Sequence, residues 1–349
     1  MKTEKEKLVA TFSELGKVMV ELGQNAKKED INPFISDFYD KINEVILREK
    51  AHNGWFTEES VRLSLYHLGK RLNEKELSSW LENTEFTNKP KNVGIIMAGN
   101  LPLVGFHDFL SVLMTGHNAI VKMSSDDNRL LPQLIEILEE LQPELTNKIK
   151  LVDRLNNIDA VIATGNNNSA RYFEKYFGHL PNIIRKNRTS LAVLKRDESK
   201  DDLKALGKDI FTYFGMGCRN VSQLLIPKDF NMDHFFEAII DFGEVVNHHK
   251  YANNYDYHKA IYLMNQEKII ENGFVLTKEE GSLFAPVSVL LYHRYKSTDE
   301  VDDFIEQHEN QIQVVVGKDY TPFGKAQSPK LDDYADGVNT LDFLTNKPK

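Results

Sequence analysis

From Val93 onward the chain alternates short apolar runs with stretches of helical periodicity, and that alternation narrows the fold more than any other feature. "VGIIMAG" and "NAIVKMS" read as buried strands. "LPLVGFHDFLSVLMTG", opening after Asn100, and "DNRLLPQLIEILEELQ" read as the helices that follow them. "IKLVD", "DAVIATG" and "TSLAVLK" add strands, and "NSARYFEKYFG" adds a helix. Apolar strands spaced by helices are the pattern of βαβ units, so the expected class is α/β with a parallel sheet.

The flanks differ in texture. Leu8, Phe12, Leu15, Met19 and Leu22 recur at helical steps, and helical segments continue to about Leu81. In "LNEKELSSWL", Asn73 and Glu76 stand where a helix N-cap and its partner would. "TNKPKN" breaks this pattern before the first strand. Beyond residue 205 a second unit holds "FGMGCRN", the strand-like "VSQLLIP", a helix from about Asp233, and strands in "PVSVLLYHR" and "IQVVVG". A polar tail, "FGKAQSPKLDDYADGVNTLDFL", follows. The expected segments are 1–90, 91–205, 206–325 and 326–349.

A chain of 349 residues has room for two or three domains. With 41% hydrophobic and 27% charged residues it has an ordinary globular composition. A net charge of −9 argues against nucleic acid as a partner, because neutralising phosphates takes clustered Lys and Arg. One cysteine excludes an intrachain disulfide framework and fits a reducing cytoplasm. "MKTEKEKLVATFSELGK" lacks the apolar core of a signal peptide, and no apolar run is long enough for a membrane span. A soluble, cytoplasmic protein is the expectation.

P-loop, H-E-x-x-H and G-x-S-x-G motifs are missing. His248, His249 and His258 lack a Cys partner and helical spacing, so surface or packing roles are expected and no metal site. "FGMGCRN" holds the single cysteine, Cys218, after Gly215 and Gly217. A buried Cys can be a small hydrophobe filling a gap, but these neighbours are Gly, Met, Arg and Asn. Asn220 at the third glycine position, with a strand following, argues against a dinucleotide fingerprint here.

Three loops after strands remain open between bland and functional readings. Asn100 is either an N-cap or an amide at the carboxyl edge of the sheet, where open α/β folds bind ligands. Lys122, Ser124 and Ser125 either make a polar loop with its cap or present a cation and hydroxyls to ribose or phosphate. Gly165 and Asn166 either form a plain capped turn or receive an anion at a helix N-terminus.

Taken together, the strand–Asn–Leu–Pro element, the strand ending in Lys before Ser-Ser, the Thr-Gly before a helix and the late Gly-x-Gly-Cys occur in the order found in aldehyde dehydrogenases. "AGNLPLVGFHDFL", "ATGNNNSARYFEKYFG", "IIRKNRTSLAVL" and "YADGVNTLDFL" more closely resemble the acyl-CoA reductases of the LuxC type, over Lys91 to Leu344. The resemblance implies a Rossmann-type cofactor domain in 91–205, with helices 1–90 packed on it, and an α/β catalytic domain in 206–325. It implies reduction of a fatty acyl thioester by NADPH, with Cys218 as nucleophile and Asn100 in the oxyanion hole. Lys122, Ser124 and Ser125 would serve the adenosine ribose and its phosphate, and Gly165 and Asn166 the pyrophosphate. A homo-oligomer and an acyl-activating synthetase as partner are the family expectations. A hydrolytic aldehyde dehydrogenase and a non-catalytic acyl or nucleotide carrier of the same fold are the rivals.

Two departures stand out. The segment "IRKNRTSLAV" has no carboxylate where acid-forming relatives carry a Glu that activates water. "SLFAPV" puts Ser282 where the family usually has a Glu, with Ala285 in place of Gly and Glu280 out of register.

Overall fold

The computed structural model describes residues 3–27, Ile31 and residues 36–345. They form two compact units, one of the described residues up to Lys186 together with those from Lys330 onward, and one of residues 187–329.

The first unit opens with four helices, α1 (Glu4–Gly23), α2 (Ser36–His52), α3 (Glu58–Arg71) and α4 (Glu74–Trp80). Their starts are written in the sequence. Thr3 and Glu6 form a capping box, and the Thr57 and Asn73 side chains accept the N–H groups of Ser60 and Glu76. Leu8, Phe12, Leu15, Met19 and Leu22 are buried along one face of α1, as their spacing predicts.

Next come β1 (Asn92–Ile96), α5 (Phe106–Met114), β2 (Asn118–Lys122), α6 (Leu130–Leu141), β3 (Ile149–Leu151), β4 (Ala160–Thr164), α7 (Asn167–Phe177) and β5 (Asn182–Arg185). The strands make a wholly parallel sheet in the order β3-β2-β1-β4-β5. Its order reverses between β1 and β4, the kind of switch point where such sheets bind ligands beyond the strands' carboxyl ends.

The second unit contains β6 (Thr189–Val193), α8 (Lys200–Phe211), β7 (Val221–Pro227), α9 (Met232–Ala238), α10 (His249–Met264), β8 (Ile269–Glu271), β9 (Leu276–Glu279), β10 (Val289–Tyr295), α11 (Thr298–Gln307) and β11 (Ile312–Val316). Its sheet runs β11-β6-β7-β10-β9-β8, parallel except for the β8–β9 pair. Thus the strand in "TSLAVLK" pairs with β7 and β11 and not with the first sheet. Phe211, stacked on Phe242 at 5.3 Å between centroids, packs in this unit's core with Phe235, Leu224 and Leu290.

The chain then returns to the first unit and ends its described part in α12 (Thr340–Thr345). Trp80 Nε1 donates to the Tyr334 hydroxyl (2.8 Å), and His107 and His117 Nε2 donate to the carbonyls of Leu331 and Leu344 (2.9 and 3.0 Å). The buried Arg185 links β5 to Asp108 on α5 and to Thr340. Among the described residues no helix is long and apolar enough to cross a membrane.

Candidate active site

In the first unit, the loop after β1 carries Asn100, the oxyanion candidate, and the loops after β2 and β4 carry the cofactor candidates. Asn100 is exposed and lies five residues before Gly105, the N-cap of α5, which has no side-chain cap. The helix therefore opens at Phe106 and not directly after Asn100, and Asn100 does not cap it. Pro102 turns its predecessor away from helical backbone. Leu103 follows in the left-handed region (φ 58°), its N–H donating to Asp127 Oδ2 at 2.7 Å.

Lys122 ends β2, half-buried, and no described residue offers its ammonium a hydrogen bond or ion pair. Beyond it an antiparallel bridge closes Ser124–Asp127 into a tight turn. Ser124 Oγ accepts the Asp126 N–H (3.2 Å), while His52 Nε2 and Asn53 Nδ2 donate to the carbonyls of Ser125 and Asp126 (2.9 and 3.3 Å). The backbone of the turn is pinned and Ser125 is exposed. This turn and the Asn100 loop are joined twice, through Asp127 and through Gly99, where a Cβ would lie 2.4 Å from Ser124 Oγ.

Burial pushes the Asp127 carboxyl up to about 7, against the Leu103 N–H and with help from Glu49. Glu49 is fully buried, and burial raises it too, although Arg129 Nε stands 3.6 Å away.

After β4, Gly165 lets α7 approach the strand, since a Cβ there would lie 2.9 Å from the Ser169 Cβ and 3.0 Å from the Phe173 ring. Asn166 caps α7 by accepting the Ser169 N–H at 2.8 Å. Its side-chain oxygen is therefore engaged as a cap, and the helix N-terminus above Gly165 remains the anion-favouring feature.

Cys218 belongs to the second unit and is exposed. Three consecutive residues before it, Tyr213, Phe214 and Gly215, have φ of 53°, 59° and 78°. Left-handed backbone costs a non-glycine residue about 1–2 kcal/mol, so tertiary contacts must hold Tyr213 and Phe214 there. Asn220, 1% exposed, provides several. Its Oδ1 accepts the Gly217 N–H (2.8 Å), and its Nδ2 donates to the carbonyls of Asp209, Ile210 and Thr212 (3.1, 3.2 and 2.8 Å).

Ser190 Oγ donates to the Cys218 carbonyl (2.9 Å) and accepts the Val314 N–H (3.1 Å), tying the turn to β6 and β11. Arg219 reaches the Ala326 carbonyl at 3.3 Å, and buried Asp209 accepts the N–H groups of Gly324 and Ala326 (2.6 and 3.0 Å). The result is an exposed thiol on a turn whose backbone is fixed from beneath.

The acyl-CoA reductase (LuxC) family profile matches residues 50–241, more than half of the chain. The chain belongs to that family. Its fold is that of the aldehyde dehydrogenases. Aldehyde dehydrogenase 21 of Physcomitrella patens, solved with succinate, is 12% identical with a TM-score of 0.63, over 97% of this chain and 79% of that one. A Mycobacterium tuberculosis aldehyde dehydrogenase complexed with NAD+ is 13% identical with a TM-score of 0.61, over 90% and 73%. An NAD-dependent aldehyde dehydrogenase from Sinorhizobium meliloti is 12% identical with a TM-score of 0.62, over 90% and 71%. No curated protein sequence matches. Membership of the LuxC family makes the protein an oxidoreductase acting on aldehyde or acyl groups.

In this family member most side chains of segment 185–190 are engaged in structural bonds. Arg185 is paired with Asp108, and Lys186 with Glu174 at 3.0 Å. Arg188 donates to the Glu309 and Ile312 carbonyls, and Thr189 Oγ1 meets Ser222 Oγ at 2.6 Å. Glu280 accepts from Lys278 (2.9 Å) and from Ser282 (2.7 Å), and these two bonds hold its carboxyl below the usual range. The backbone of 280–283 is stitched to the start of β7 by Gln223, donating to the Glu280 carbonyl (2.9 Å), and by Ser222, donating to that of Leu283 (2.6 Å). Among the described residues no group of His, Cys, Asp and Glu is arranged to hold a metal. His248 instead caps α10, its Nδ1 accepting the Tyr251 N–H at 3.4 Å.

Proposed function

We propose that the protein reduces a fatty acyl thioester, carried on CoA or on an acyl carrier, to the aldehyde with NADPH through an S-acyl-Cys218 intermediate. The observation that carries this reading is the exposed Cys218 thiol on a strained, amide-pinned turn, in a chain of the LuxC family. Cys218 attacks the thioester carbonyl, and the oxyanion collapses to expel the carrier thiol, which takes the proton the cysteine gave up. The Cys218 N–H would serve as an oxyanion donor, and the family resemblance names the Asn100 amide as the second; such a donor is worth about 10²–10³ in rate.

The first unit suits a nicotinamide dinucleotide. The Lys122 ammonium has no hydrogen-bond or ion-pair partner among the described residues, Ser125 is exposed on a fixed turn, and Gly165 lets α7's N-terminus pack close to the end of β4. Lys122 would bind the adenosine ribose, Ser124 and Ser125 its 2′-phosphate, and Gly165 and Asn166 the pyrophosphate. When bound, the cofactor would supply the hydride that releases the acyl group from Cys218 as aldehyde, leaving a Cys218 thiolate that takes a proton from water.

Intact-mass analysis after mixing with dodecanoyl-CoA tests the reading. An acyl adduct should appear on the protein, be absent from Cys218→Ala, and be discharged as aldehyde on adding NADPH. Turnover by the Ala variant at the parental rate, or no adduct on the parent, would overturn it.

A further inference from the structure

His248 takes no part in the chemistry above, yet its imidazole meets the nucleophile turn. It is 9% exposed, at the N-cap of α10. Its ring lies against Phe214, with centroids 4.3 Å apart and planes inclined by 34°, and the Tyr251 ring stands 6.4 Å from the same phenyl. Phe214 is the middle of the three left-handed residues. A bulky side chain has no local reason to keep that backbone, so its packing must favour it. Asn220 fixes the chain on either side, at Thr212 and Gly217, and His248 holds the side chain in the middle.

We propose that His248 is a positioning residue for the nucleophile turn: its ring seats Phe214, and that seat keeps Tyr213–Gly215 left-handed so that Gly217–Cys218 stays aimed for acyl transfer. The proposal rests on the reading of Cys218 as nucleophile. It gives one side chain two separable duties, an acceptor for the Tyr251 N–H and an aromatic face for Phe214. The histidine acts through Phe214 and touches no substrate.

Two substitutions separate the duties. His248→Asn keeps a capping acceptor and removes the ring; His248→Phe keeps a ring and removes the acceptor. With dodecanoyl-CoA and NADPH, His248→Asn should lose about tenfold in kcat with KM nearly unchanged, the pattern of a misplaced reacting group. Its Tm should stay near the parental value, and hydrogen exchange should quicken in 212–217. His248→Phe should keep kcat within about twofold while its Tm falls, because a cap is lost.

Parental kcat and parental exchange in His248→Asn would overturn the proposal, as would kcat losses that follow Tm in both variants. If the parent forms no adduct on Cys218, the nucleophile reading fails by itself. The exchange of 212–217 then still decides whether the ring seats the turn.

Discussion

Asp127 shows how one buried carboxyl can join the loops after β1 and β2 and tax stability in doing so. Its pKa, about 7, is raised from an ordinary value of 3.8, chiefly by burial. Between those values the folded protein holds a proton that the unfolded chain does not. Stability therefore falls as pH rises from about 4 to about 7, by on the order of 2–4 kcal/mol over the window. Asn is nearly isosteric, still accepts the Leu103 N–H and carries no charge. Asp127→Asn should match the parent near pH 4.5 and gain several degrees of Tm over it at pH 8, a difference read from paired melting curves. Curves that stay parallel from pH 4.5 to 8 would show that Asp127 carries no such penalty. Nothing in "SSDD" announces this role, since burial of its last residue depends on Leu103 and Glu49, distant in sequence. Cys218, by contrast, stands out in the sequence as the single cysteine in a glycine-flanked turn, while its reading as a nucleophile comes from the family resemblance. The amide of Asn220 does not stand out, because the carbonyls it collects come from the end of α8 and the residue just after it.

At the scale of elements, periodicity finds eight of the eleven described strands and misses the short β5, β8 and β9. The run after β1 is helical in composition from Leu101, but Pro102 and the left-handed Leu103 delay α5 to Phe106. That delay leaves Asn100 exposed and outside the cap. "TSLAVLK" was readable as a strand but not as a member of the second sheet, because strand partners are chosen by tertiary packing. The turn after β2 carries its own prediction. His52 and Asn53 hold its carbonyls, so a new side chain at the exposed Ser125 should leave the backbone in place. A carboxylate there would repel a 2′-phosphate and spare a cofactor lacking one. Ser125→Glu should weaken NADPH at least about tenfold while NADH changes little, measured by fluorescence titration. Equal losses for both would mean that the turn had collapsed, and equal use of both by the parent would remove the NADPH preference.

At the scale of the whole molecule, the alternation from Val93 gives the α/β class, while the division at Asn187 and the return of the chain at Lys330 need the folded structure. The returning segment looks like a polar tail, yet Tyr334, Leu331 and Leu344 receive bonds from buried or half-buried groups of the first unit. The chemistry expected of the whole chain turns on how an acyl-enzyme is resolved. Water needs a base to take its proton, and a positioned base is worth about 10²–10⁴ in rate. Residues 185–190 contain no carboxylate, and their cations are spent on Asp108, Glu174 and backbone carbonyls. Glu280 is ionised and already bonded to Lys278 and Ser282, so recruiting it would break both bonds. Without cofactor the acyl group should therefore persist on Cys218, and NADPH should discharge it as aldehyde. Labelled acyl-CoA, removal of excess substrate and label followed with and without NADPH measure the two lifetimes. Rapid release of fatty acid from the cofactor-free protein would reveal a working base and shift the assignment toward hydrolysis.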